Sequence, residues 1–170
     1  QTLKYLIRIT FALFLVSAHS QTYAQTSGTT TLPEVFLIGE YEDQYLNLSD
    51  AFPEAFMGLY NNNIDLAYKG WSGFMMDVED YAAELKFDIR GVKLWINIYF
   101  NPDGTIAHLA FYPKPNSRNV PEEHLLAFFK NFVRQYHYTE TSGKGFQHSA
   151  SVSFPTFFHR TTPETASATA

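Results

Sequence analysis

The stretch Val92–Phe100 (VKLWINIYF) alternates without interruption between apolar and mixed positions, and a two-residue period of that kind suits only a strand with one face in a core. Leu94, Ile96, Ile98 and Phe100 point one way, and Lys93, Trp95, Asn97 and Tyr99 point the other. Asn101-Pro102-Asp103-Gly104 follows at once. Proline presets φ and glycine accepts a positive φ, so the four residues predict a tight hairpin turn. Thr105–Tyr112 is the expected return strand. Pro113 and Pro115 end it, and Asn116–Asn119 is expected to form a loop.

Beyond that loop the period changes. Leu125, Leu126, Phe129, Phe132, Val133 and Tyr136 recur at helical spacing, with Glu122 and Glu123 at the start and Lys130 and Arg134 near the end, as the helix dipole favours. Asn119 with Glu122 reads as a capping box, with Pro121 in the first turn. After Thr139–Gly145, Phe146–Phe154 reads as a third strand with Ala150, Val152 and Phe154 on one side. Pro155 makes it an edge strand or its last residue.

Residues 34–90 read as mainly helical. Ser49–Asp50, ahead of Pro53 and Glu54, could open a helix reaching Leu59 or Tyr60, which Asn61–Asn63 then breaks. Ala67, Trp71, Met75, Val78, Tyr81, Ala82 and Leu85 continue at three- and four-residue steps, with Asn63 as the cap. Gly70 and Gly73 weaken this helix by about 1 kcal/mol each relative to alanine. The expected fold class is therefore α+β: a helical N-terminal region, then a β-β-α-β unit with a small antiparallel sheet over 91–158. The helix of that unit can cover only one sheet face. The other carries Trp95 and Tyr99, and either the 64–85 helix or a partner must cover it.

This pattern resembles the C-terminal domain of TonB-type energy transducers. The elements that carry the resemblance are Leu94–Phe100, Asp103-Gly104, and Ile106, Leu109 and Phe111 at two, five and seven positions after the glycine. They continue with the helix 120–136, Tyr136-His137-Tyr138, Gly143 or Gly145, and Val152-Ser153-Phe154. The resemblance implies that a partner adds a strand to the closing strand, here Ser149–Phe154.

Lys4 and Arg8, the ten-residue apolar run Ile9–Ala18, and Thr22 and Ala24 before Gln25 form the pattern of a secretory signal peptide over 1–24. The run is too short for a bilayer. A polar leader (25–33) should precede a single domain (34–158), and the small polar residues 159–170 form a tail expected to be disordered. Export to the periplasm or beyond, in a Gram-negative-type bacterium, is the expected location. The net charge is −5, and losing Lys4 and Arg8 would make the remainder more acidic still. No basic stripe offsets this, which argues against nucleic-acid binding. The absence of cysteine removes disulfides, thiol nucleophiles and cysteine-based zinc sites.

Few residues suggest chemistry. Asp77, Asp80 and Glu84 share a helix face and could hold a hard cation or act in acid/base catalysis. An ordinary solvated face explains them as well. His108 and His148 lie on strands and could meet across the sheet. No histidine has HExxH spacing, no serine sits in a G-x-S-x-G elbow, and Gly143-Lys144-Gly145 precedes a strand, so it is no phosphate loop. No catalytic residue, cofactor or metal set is expected. The loop Tyr112–Asn119, rigidified by two prolines and basic in an acidic chain, suits recognition. The reading is a non-enzymatic, exported binding protein that contacts a protein or a cell-envelope polymer. Its contact residues are expected at Trp95, Tyr99, Lys114, Arg118, Ser149, Ser151 and Ser153. The alternative is a small secreted hydrolase or glycan-active enzyme using the acidic face or His108.

Overall fold

The computed structural model describes residues 31–158. The expected signal peptide, most of the leader, and the tail from residue 159 lie outside the described residues. In chain order the elements are β1 (Val35–Leu37), α1 (Glu42–Tyr45), α2 (Leu48–Ala51), β2 (Glu54–Ala55), a 3-10 turn (Phe56–Tyr60), α3 (Ile64–Glu84), β3 (Lys93–Phe100), β4 (Ile106–Pro113), α4 (Glu122–Gln135) and β5 (Phe146–Ser153).

The hairpin forms where its sequence places it. The Asn101 amide donates to the Thr105 carbonyl at 2.8 Å, and Gly104 adopts φ +92°. Asp103 accepts from the Thr105 amide at 2.9 Å and from its hydroxyl at 2.6 Å. Glycine is needed at 104 for a second reason. A β-carbon there would collide with the Tyr138 carbonyl, and Gly104 accepts from the Tyr138 amide at 2.9 Å. The turn is thereby tied to the chain leaving α4.

β3 and β4 are antiparallel, and β5 joins the other side of β3, also antiparallel. The sheet does not stop at three strands. β1 pairs parallel with β4, and β2 pairs parallel with the start of β5, giving five strands in the order β1-β4-β3-β5-β2. The expected small antiparallel sheet is thus a mixed one. Both added strands come from the region expected to be mainly helical. The helix expected from Ser49 to Tyr60 does not form either: α2 ends at Ala51, and the chain enters β2 at Glu54.

α3 is capped as its sequence indicates, with the Leu66 amide donating to Asn63 Oδ1 at 3.0 Å, a contact that contributes about 1 kcal/mol. α4 begins without the expected capping box. Its cap residue is Pro121 and no side chain caps it. The residues ahead of it are held to the sheet: the Arg118 amide donates to the Gly91 carbonyl at 2.8 Å, and the Lys93 amide donates to Ser117 Oγ at 2.9 Å. Asn119 therefore lies two residues ahead of the helix cap.

The sheet is also covered differently from the expectation. α3 does not cross to the Trp95/Tyr99 face; it packs beside α4 on the face of Leu94, Ile96, Ile98 and Phe100. Phe74 meets both Phe100 and Phe132 edge-on, at 5.9 and 5.8 Å, and Phe111 lies 5.1 Å from Phe129. Leu125, Phe128, Phe129, Phe132 and Val133 of α4 are all buried there, each contributing about 1.5–3 kcal/mol. The opposite face is covered by residues 42–52. Tyr45, Leu48 and Phe52 close over Tyr99, Phe36 and Ala110, with Tyr99 5.4 Å from Phe52 and 6.2 Å from Tyr45.

Candidate functional site

The cover on that second face ends at a definite row. Asn97 Nδ2 donates to the Tyr45 hydroxyl, and the ring contacts of Tyr45 and Phe52 fall on Phe36, Tyr99 and His108. One row further along, Trp95 of β3 pairs with Tyr112 of β4 and Ser151 of β5. Trp95 is 45% exposed and Tyr112 47% exposed, with their rings stacked at 6.2 Å. Tyr99, four residues from Trp95 on the same face, is only 4% exposed. Burial, and then its contact with Tyr45, raise its phenol above the ordinary range. It is a packing residue and does not belong to a contact surface.

Lys114 completes the open row. Its Nζ lies 5.3 Å from the Trp95 ring centroid and donates to the Ser151 hydroxyl. It thus spans from the end of β4 across β3 to β5. A cation over an indole at a partly exposed site contributes about 0.5–1 kcal/mol, enough to hold the ring in place. Arg118, by contrast, faces the turn before β3. Its guanidinium donates to Asp88 Oδ2 at 2.9 Å and to the Asp88 carbonyl, while Arg90 holds Oδ1 at 2.9 Å. The hydrogen bonds from Arg90, with Arg118 behind them, keep the Asp88 carboxyl well below the usual carboxylate range. Arg118 ties the 114–120 loop to residues 88–91.

Ser149, Ser151 and Ser153 lie on β5, all exposed. The strand's hydrogen bonding sets which of its groups are used. The Phe154 amide donates to the Val92 carbonyl, so Val152, Ala150 and His148 also direct their backbone groups at β3. The residues between them face the other way. There β2 pairs with only Phe146 and Gln147, and the Glu54 amide donates to the Gly145 carbonyl at 3.3 Å. Among the described residues, no strand pairs with Ser149, Ser151 and Ser153 on that side. β5 is therefore not a simple edge strand: its first two residues are flanked and the rest is open.

The groups considered for chemistry are not brought together. Asp77 accepts from the Tyr136 hydroxyl at 3.1 Å, whereas Asp80 and Glu84 are exposed further along α3. His108 and His148 occupy neighbouring rows on opposite faces. His108 bonds the Pro33 carbonyl at 2.9 Å beside Phe36 and Phe52. His148 lies among Trp71 and Phe56, at ring distances of 4.3 and 5.0 Å, and burial lowers its pKa. Among the described residues, no group of three or more His, Asp or Glu is placed to hold a metal ion, and no helix is long and apolar enough to cross a membrane.

Sequence alternation could identify Trp95 and the serines. It could not separate Trp95 from Tyr99, because the chain that buries Tyr99 lies about fifty residues away and carries no periodic signal. Tyr112 is legible as the end of the return strand and the first residue of the proline loop, but not as the ring beside Trp95. The arrangement as a whole offers a row of outward backbone donors and acceptors beside a fixed aromatic pair. Comparisons of the chain with protein families, with curated proteins and with solved structures find no match.

Proposed function

We propose that this chain is an exported, non-enzymatic accessory protein of the cell envelope that binds an extended protein segment by adding it to β5. One observation carries the reading: the outward backbone groups of Ser149, Ser151 and Ser153 have no strand partner among the described residues. An open edge of this kind is a template for another strand, and soluble proteins ordinarily block it with proline, charge or a covering loop. Here three small serines line it and leave it accessible. Main-chain bonds would give affinity, and Trp95 on the strand beside β5, with Lys114 reaching over it to Ser151, would contact long side chains of the added strand that project over this face. The resemblance of residues 91–158 to TonB-type transducer domains supports the same mode, because in that family the closing strand receives the partner.

A photo-crosslinking residue at Ser151, compared with one at Glu123 on the exposed start of α4, tests this in envelope extract. A discrete adduct is expected at Ser151 and not at Glu123. The same crosslinker at Ser149 in a Ser151→Pro background should lose the adduct, since proline removes an outward amide that the protein's own ladder does not use. An adduct of equal yield from Glu123, or one that survives the proline with an unchanged circular dichroism spectrum, overturns the proposal.

A further inference from the structure

Two glycines interrupt α3, and the structure explains only one of them. A β-carbon on Gly70 would stand 2.5 Å from the Tyr138 hydroxyl and still closer to that of Tyr60, so the residue there must be small. Gly73 lies one turn further on, and a β-carbon there would meet nothing within 4 Å. Glycine inside a helix lowers its stability, and no packing need in the protein accounts for this one. The two glycines floor a cleft of about 420 Å³, a size within the usual range of roughly 300–1,000 Å³ for small-ligand sites.

The walls of the cleft carry hydrogen-bonding groups of both kinds. The Tyr60 and Tyr138 hydroxyls bond each other at 2.5 Å. That bond uses one of their two protons and leaves the other to be donated. The Tyr136 hydroxyl donates to Asp77, and Lys69 and Glu140 complete the rim. Burial raises all three phenols above their ordinary range, so they remain neutral donors and acceptors at any physiological pH. Leu66 and Phe74 supply the apolar part of the lining.

The balance of these groups selects a ligand class. An anion would face Asp77 and Glu140, and a cation would face Lys69. A neutral molecule rich in hydroxyls can use every group, since each hydroxyl both donates and accepts, and a C–H face can lie on Leu66, which is exposed at the rim. We infer that this cleft binds a neutral polyhydroxylated ligand, one or two pyranose units of a saccharide, and that Gly73 leaves the space in which a ring lies. The site involves no residue of β5 and not Trp95, so it stands or falls apart from strand addition.

The test is a titration of the full chain with a panel of pyranose mono- and disaccharides, maltose and N,N′-diacetylchitobiose among them. Spermidine and inorganic phosphate serve as charged counter-probes, and the readout is the amide resonances of Gly70 and Gly73. At least one saccharide is expected to shift both, and the charged probes neither. Gly73→Ala is expected to raise the thermal midpoint by about 3 °C while weakening saccharide binding about tenfold or more. Tyr60→Phe should weaken binding as well. No response across the panel, a response confined to spermidine or phosphate, or a Gly73→Ala protein that binds as tightly as the wild type would each overturn the inference.

Discussion

Gly70→Ala and Gly73→Ala are the same chemical change at two positions of one helix, and the structure predicts opposite outcomes. On propensity alone each gains about 1 kcal/mol. At Gly70 the new carbon would lie 2.5 Å from the Tyr138 hydroxyl and 2.6 Å from Tyr60 Cζ. Both hydroxyls obstruct it, and each must retreat by about 1 Å or more to reach ordinary contact. Tyr138 has little room to do so: it is 3% exposed and packs against Phe56 and Phe100 at 5.5 and 5.6 Å. Tyr60 must move further, and the two shifts together break the bond between the hydroxyls, costing about 1 kcal/mol, and disturb the packing on Phe56, costing about 1–3 kcal/mol. Net of the propensity gain, Gly70→Ala loses about 2 kcal/mol. Gly73→Ala meets no obstruction and gains about 0.5–1 kcal/mol. Urea unfolding followed by circular dichroism reads the difference as separated midpoints with a common slope. Tyr60→Phe should recover only part of the Gly70→Ala loss, because the ring carbon still obstructs. Two alanine variants of equal stability would refute the packing described for this region.

Trp95→Ala should cost less than about 1 kcal/mol, whereas Tyr99→Ala should cost about 3 kcal/mol; equal losses in denaturant unfolding would contradict the half-covered face. His148 has a folded pKa below its ordinary 6.5 because it is buried. The unfolded chain then binds the extra proton first, so stability is full above pH ~6.5 and falls as the pH drops through that value toward the folded pKa. His148→Phe should flatten this part of the stability–pH curve. Tyr99, Tyr136 and Tyr138 have phenols raised above 10.0 by burial, so their ionisation favours the unfolded chain, and stability should fall as the pH rises past ~10. Spectrophotometric titration should show these three ionising only as the protein unfolds; three ordinary, reversible titrations would count against their burial.

Legibility followed the length of the signal. β3, the Asn101–Gly104 turn, β4, α4 and β5 are each long or chemically marked enough for their own residues to define them, and α3 adds a cap at Asn63. β1 and β2 hold three and two residues, too few to show a period. They exist because β4 and β5 offer them edges, a tertiary cause that local sequence cannot display. The same holds for residues 42–52, whose two four-residue helices bury Tyr99. Asn119 has the chemistry of a cap, but Arg118 and Ser117 are held by Gly91 and Lys93. Gly70 and Gly73 look alike as helix weakeners in the sequence. Only the positions of Tyr60 and Tyr138 tell them apart.

Amide hydrogen exchange along β5 tests the central claim most directly. In the free protein the amides of Ala150 and Val152, committed to β3, should exchange slowly, while those of Ser149, Ser151 and Ser153 exchange fast, and a captured partner should slow all three serines. Uniform slow exchange from Ser149 to Ser153 without a partner, or serines that stay fast in its presence, would contradict it.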